Sequence, residues 1–286
     1  MCTVTAQKGH MLRLKGFIIA SRCGKKKEGK FWKKKTHKGL KAFLITLGCL
    51  VAVLVIIFLT VFVLAKQKKI FINKWFVDEN KSTIGVDVSA YRAEIDMQKL
   101  KAQNIKFIYI KATEGSTLLD EKFAVNWQNA GAADLLSGAY HFFSYDSAGK
   151  TQAENFINSV GTDLKGRLLP AVDVEYYGDK EQNPPAKEDV VRELKIFLSL
   201  VEKQYGVKPI LYTRAEIYEN YLKGEFDDYK KWISSFHTPL SRKYQEDWYL
   251  WQYLNRGEWE GYTGGEQYID MNILNQDKSL EELIVK

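Results

Sequence analysis

Residues 168–175 read LLPAVDVE. A short run of this kind, apolar and β-branched, is the pattern of a buried strand, yet it closes on two acids, Asp173 and Glu175. Side chains alternate faces along a strand, so these two point the same way, with Cα atoms about 6.6 Å apart at a rise of about 3.3 Å per residue. Val172 and Val174 take the other face. A lone D-x-E is short and common, and by itself reads as an exposed edge or a structural ion pair. Here Tyr176-Tyr177 and the loop GDKEQNPPA follow at once, which marks a strand end with aromatic rings beside it.

Working outward, seven further runs have the same character: 83–89 (TIGVDVS), 106–113 (KFIYIKAT), 137–143 (SGAYHFF), 209–213 (PILYT), 231–236 (KWISSF), 248–253 (WYLWQY) and 268–274 (YIDMNIL). Helical spacing of apolar residues fills 93–103, 120–132, 150–160 and 187–204, the last with Val190, Val191, Leu194, Phe197, Leu198 and Val201 on one side. Alternating strands and helices predict parallel strands closed into an α/β barrel. The last three runs lack long helices between them, so the expected fold is an irregular TIM-like β/α barrel with eight strands and fewer helices.

The carboxyl ends of barrel strands form the functional face. Asp87, Lys111, Thr113, Glu114, His141, Asp173, Glu175, Trp251, Gln252 and Asp270 all lie in or at the ends of these runs. Closing the barrel makes the first and last strands neighbours, which brings Asp87 and Asp270 toward Asp173 and Glu175. Paired carboxyl groups suit glycoside hydrolysis, where one protonated acid serves the leaving oxygen and one anion supports the oxocarbenium-like transition state. Mutual repulsion and burial raise the pKa of one member and keep it protonated near neutrality. Tyr109, Tyr140, Phe142, Tyr212, Trp251 and Gln252 are the candidate substrate contacts, since flat rings near strand ends can stack on sugar faces. Tyr140 and Phe142 share one face and His141 has the other. A divalent metal would also gather four acids, but the sequence has no His-x-x-x-His pattern and no EF-hand loop, and only His141 and His237 occur after position 69. No metal and no cofactor is expected.

The net charge of +7 is an average of two unlike halves. Residues 1–69 hold 16 Lys/Arg and one acid, a net +15, and residues 70–286 hold 26 against 34, a net −8. Residues 42–65, AFLITLGCLVAVLVIIFLTVFVLA, are 24 residues without a charge, enough to span a bilayer core of about 30 Å as one transmembrane helix. The stretch exceeds the apolar core of a cleaved signal peptide. Nine lysines lie in 25–41 and five in 66–82, so the N-terminus is expected in the cytoplasm and the body outside. The lysine cluster is expected against anionic lipid headgroups rather than nucleic acid. Cys2, Cys23 and Cys49 are the only cysteines, which leaves the body without a disulfide or thiolate site. The expected organisation is a basic cytoplasmic segment (1–41), a membrane helix (42–65), a juxtamembrane stalk (66–82) and a catalytic domain (83–286).

Taken in order, GVDVSAY, FIYIKATEG, DEKFAVNWQNA, GAYHFF, AVDVE, ILYT, LWQY and IDMN resemble the family 25 glycoside hydrolases, the muramidases often called Chalaropsis-type lysozymes. The resemblance covers about residues 83–275. It implies an irregular eight-stranded barrel and cleavage of the β-1,4 bond between N-acetylmuramic acid and N-acetylglucosamine in peptidoglycan. On the family pattern Glu175 is the general acid/base. Asp173 either stabilises an oxazolinium formed from the substrate's own acetamido group or attacks directly, and Asp87 and Asp270 orient and tune the pair. The sixth run, WISSF, departs from the WIA-type run of relatives, which bears on subsite details. Two other readings share the pattern: a non-catalytic peptidoglycan-binding scaffold and a chitinase-like enzyme.

Overall fold

The computed structural model describes residues 29–67, 69–90, 94–237, 239–240, 248–263 and 268–286. The chain divides into two compact units, the second running from Thr60 to Lys286. Before that boundary the described chain is the helix α1 (Gly29–Lys66). Its span Lys38–Ala65 has a mean hydropathy of 3.2 and buries none of its most apolar stretch within the protein, so by length and composition it can cross a bilayer. Residues 1–28, with Cys2, Cys23 and part of the lysine cluster, lie outside the described residues.

Among the described residues the second unit contains eleven strands: β1 (Ile84–Val88), β2 (Glu94–Ile95), β3 (Phe107–Glu114), β4 (Leu118–Leu119), β5 (Leu136–Phe142), β6 (Ala171–Val174), β7 (Ile210–Arg214), β8 (Lys231–Ser234), β9 (Trp248–Gly257), β10 (Tyr262–Thr263) and β11 (Ile269–Leu274). Eight of them, one from each of the eight runs, close into a barrel in the order β1-β3-β5-β6-β7-β8-β9-β11, because β1 pairs with both β3 and β11. Neighbours from β1 to β9 are parallel. The last strand is not: β11 runs antiparallel to both β9 and β1, which corrects the expectation of an all-parallel barrel. A parallel return needs a crossover of a dozen or more residues, usually a helix, and the link from Gly257 to Ile269 is too short for one. Asp270 therefore opens β11 instead of closing it, and by that reversal sits at the same barrel end as the other acids, directly paired with Asp87.

The helices α2 (Met97–Ala102), α3 (Phe123–Ala132), α4 (Gly149–Val160) and α5 (Lys187–Tyr205) belong to the first part of the barrel. Strand alternation sorts the apolar residues into two layers. Val86, Ile108, Ile110, Val172, Val174 and Leu211 cluster with Leu194, Phe197 and Leu198 of α5. Phe107, Tyr109, Ala171, Ile210, Trp232 and Leu250 form the inner layer, joined by Leu164, Leu168, Leu283 and Val285. Helices α4 and α5 approach closely at Gly149, where a Cβ would lie 1.9 Å from the carbonyl oxygen of Glu193.

Among the described residues no helix covers β8, β9 and β11, and residues 70–80 take that place. This is the stretch expected to be a stalk. Fully buried Asn73 donates through Nδ2 to the carbonyls of Ser235 (2.6 Å) and Tyr253 (3.2 Å). The Tyr253 hydroxyl donates to Glu79 at 2.8 Å, and the Phe71 ring lies 4.5 Å from His237 and 4.9 Å from the Arg256 guanidinium. Phe76 and Val77 face Leu240, Trp248, Trp251 and Ile273 across a shallow hollow. The segment is a strap on the barrel wall.

His141 lies on the outer side of β5, fully buried. Its Nδ1 meets the Thr113 hydroxyl at 2.7 Å and its Nε2 meets Gln152 Oε1 at 3.0 Å. An amide oxygen only accepts, so Nε2 carries the proton and Nδ1 accepts. Burial pushes its pKa down to about 4, against the Gln152 hydrogen bond that raises it and with the Lys111 charge that lowers it. The neutral ring is therefore structural. An unfolded chain takes up this proton near pH 6.5 and the folded one only near 4, so stability is whole above pH 6.5 and declines as pH falls to 4, by up to about 3 kcal/mol. Urea unfolding of the full chain in detergent should show this slope, and His141→Gln should flatten it between pH 6.5 and 4.

Candidate active site

A cavity of about 400 Å³ opens at the carboxyl ends of the parallel strands. Each strand places one or two side chains there: Asp87 from β1, Lys111 and Glu114 from β3, Tyr140 and Phe142 from β5, Asp173 from β6 and Glu175 just after it, Tyr212 and Arg214 from β7, Trp232 from β8, Gln252 and Asn255 from β9, and Asp270 from β11. The spacing of two within β5 and β7 is the alternation of a strand read on its inner face; the pairs on β3 and β9 are three apart, and both strands carry register irregularities there.

Asp87 is held by side-chain amides. Its Oδ2 accepts from Gln252 Nε2 at 2.7 Å and from Asn272 Nδ2 at 2.8 Å. Each amide is oriented by a second donor: the Tyr212 hydroxyl to Gln252 Oε1 at 2.6 Å, and the Trp232 indole to Asn272 Oδ1 at 2.8 Å. Two N–H donors on one oxygen favour the ionised carboxylate. The two amides thus fix the position of the Asp87 carboxyl, whose charge acts on its neighbours, in the barrel wall.

That charge bears on the pair beside it. Asp173 is buried and its Oδ1 has no hydrogen-bond partner among the described residues. Burial raises its pKa well above the carboxylate range, and the charges of Glu175 and Asp87 raise it further, against Lys111 and Arg214. Glu175 is also raised by burial, but Arg214 opposes the shift by its charge and by a hydrogen bond from Nε to Oε1 at 2.8 Å. The two acids are coupled, because two adjacent anions in a cavity wall are costly. With no ligand bound, Arg214 biases the anion toward Glu175 and the proton toward Asp173. Lys111, 6% exposed, donates to Glu114 at 2.6 Å and lies 4.9 Å from the Phe142 ring centre.

Eight of the ten candidate residues meet at this cavity: Asp87, Asp173, Glu175, Asp270, Tyr140, Phe142, Tyr212 and Gln252. Tyr109 and Trp251 do not. Tyr109 is fully buried below the cavity, its ring in space left by Gly138 and its hydroxyl donating to the Leu169 carbonyl at 3.1 Å. Trp251 follows strand alternation: Gln252 faces in, so Trp251 faces out, with its indole donating to the Ser235 carbonyl at 3.0 Å. Arg214, Trp232 and Asn272 are site features that the sequence reading passed over. All three lie two residues from a residue already singled out or in its run, on the same face, which is the signal that would have found them: Arg214 beyond Tyr212, Asn272 beyond Asp270, Trp232 at the inner face of WISSF.

Comparison with known proteins gives the same assignment. The family model described as glycosyl hydrolases family 25 matches residues 86–262. A structure of a family 25 glycosyl hydrolase from Bacillus anthracis is 45% identical, superposes with a TM-score of 0.66, and covers 72% of this chain and 94% of its own. YegX of Escherichia coli K12, an uncharacterised protein, is 34% identical over 205 residues, 70% of this chain and 71% of its own. Lysozyme M1 of Streptomyces globisporus is 28% identical over 206 residues, 67% of each chain. The chain belongs to family 25 of the glycosyl hydrolases and is a glycoside hydrolase.

Proposed function

We propose that this enzyme is a muramidase that cleaves the β-1,4 bond between N-acetylmuramic acid and N-acetylglucosamine in peptidoglycan. The observation that carries the reading is the Asp173–Glu175 pair facing one cavity beside Asp87, with Glu175 held by Arg214 and Asp173 Oδ1 without a partner. The similarity to Lysozyme M1 supports peptidoglycan as the substrate class.

The unpartnered Oδ1 of Asp173 is an acceptor waiting for a donor. A substrate acetamido N–H supplies one, and hydrogen bonding to the charged form makes Asp173 the anion and moves the shared proton to Glu175. Glu175 then protonates the glycosidic oxygen as the bond to the anomeric carbon breaks. The acetamido carbonyl oxygen, oriented by Asp173, bonds to that carbon and gives an oxazolinium. Water, deprotonated by Glu175, opens it and restores the acid. Tyr140, Phe142 and Trp232 offer apolar surface for the sugar rings. Asp87 and Asp270 hold the field that keeps one proton on the pair.

The apolar helix supports a tether, with α1 crossing the cytoplasmic membrane, the N-terminus inside and the barrel outside. Protease added to intact cells of a producing strain, once the wall is permeabilised, should remove the barrel and spare a membrane-bound N-terminal fragment.

Two substitutions test the chemistry. Glu175→Gln should lower kcat for muropeptide release by about 10³-fold, within the range for loss of a general acid, and equal release by both proteins would sink the assignment. Arg214→Ala removes the cation that lowers the Glu175 pKa, so the acid stays protonated to higher pH. The alkaline limb of the kcat/KM profile should move up, and a limb that stays or moves down would reject the role given to Arg214.

A further inference from the structure

The path of the strap fixes where the tether leaves the barrel. Phe71, at its membrane-proximal end, is gripped by His237 and Arg256, and the Ile70 carbonyl lies 3.1 Å from His237 Nδ1. These two gripping residues directly follow Phe236 and Asn255, which line the cavity. The chain therefore reaches the barrel at the rim of the active site, and only afterwards runs along the wall through Asn73 and Glu79 to β1.

The connection back to α1 is short. Helix α1 ends at Lys66, and the backbone remains bonded to its last turns through Gln67 N–H to the Val63 carbonyl and Lys69 N–H to the Leu64 carbonyl, both at 2.9 Å. Three residues separate Lys66 from Ile70, four steps of chain that span at most about 14 Å even if fully extended at about 3.5 Å each. A free stalk of residues 66–82 would have given roughly four times that reach.

We propose that the docked strap holds the mouth of the active site at the membrane surface, so that the enzyme's substrate is membrane-proximal glycan, strands attached to or lying on the bilayer, in preference to strands deeper in the wall. This rests on the tethered muramidase reading above. The selection is by position: a short tether gives surface-bound strands a high effective concentration, and lengthening a flexible linker lowers it roughly as the −3/2 power of length.

The test places one 30-residue Gly/Ser segment at two positions in the full chain, reconstituted in vesicles. Between Lys69 and Ile70 it lengthens the tether before the strap; between Ser82 and Thr83 it adds the same length after the strap. Soluble muramic-acid-containing glycan strands are supplied either free or attached to the vesicle surface through a lipid. The first insertion should lower the ratio of attached-strand to free-strand cleavage at least threefold, while the second leaves it as in the wild type, and both should cleave free strands at the wild-type rate. Equal effects of the two insertions, or none from either, overturn the proposal alone. Failure of the chain to float with the vesicles overturns the tether and this proposal together. Failure of the wild type to cleave free strands in detergent overturns the catalytic reading, and the proposal with it.

Discussion

The structure depends on the closure of the barrel by β1, which must pair with β3 on one side and with β11 on the other. The second pairing is antiparallel, after a link from Gly257 to Ile269 too short for a helical crossover. That constraint is what puts Asp270 opposite Asp87, and Asn272 within reach of Asp87 as well. Had β11 run parallel, its acid would point its end of the strand toward the opposite rim, and the wall of the cavity would lack both its fourth carboxyl and one of the donors that ionise its first.

Several acids in one small cavity repel one another, and the fold answers with different partners for each. Asp87 is compensated by neutral amides, themselves locked by Tyr212 and Trp232. Glu175 is compensated by a half-exposed cation, Arg214, which substrate or solvent can draw away. Asp173 is left with an empty acceptor. The three carboxyl groups thus meet one cavity with three different degrees of compensation.

Much of this was legible in the chain. The eight strand-like runs, the long helix near 187–204 and the convergence of four acids follow from periods of 2 and 3.6 and from the rule that barrel chemistry gathers at strand ends. The direction of β11 was not legible in its own residues, because YIDMNIL reads alike both ways; it is set by the length of the preceding link. Trp251 was misplaced where a run of aromatics hid which positions face in, and Tyr109 where a glycine on the neighbouring strand, Gly138, makes room for a ring below the cavity. The strap was hidden for a different reason. Its mixed, charged composition looks like a linker, and only the bare wall of β8, β9 and β11 explains why Asn73 is buried there.

The hydrogen bond between Asp87 and Asn272 joins residues 185 positions apart, and the strap packs against strands almost as distant in sequence. Contacts of such long range form late, since loop closure must precede them. The inner wall of the cavity, the ionised state of Asp87 and the seat of the strap all wait for the last strands to arrive. A growing chain, or one lacking its final segment, would have the Asp173–Glu175 strand in place without the charge and the rim that make it useful, so completion of the polypeptide is itself the step that arms the site.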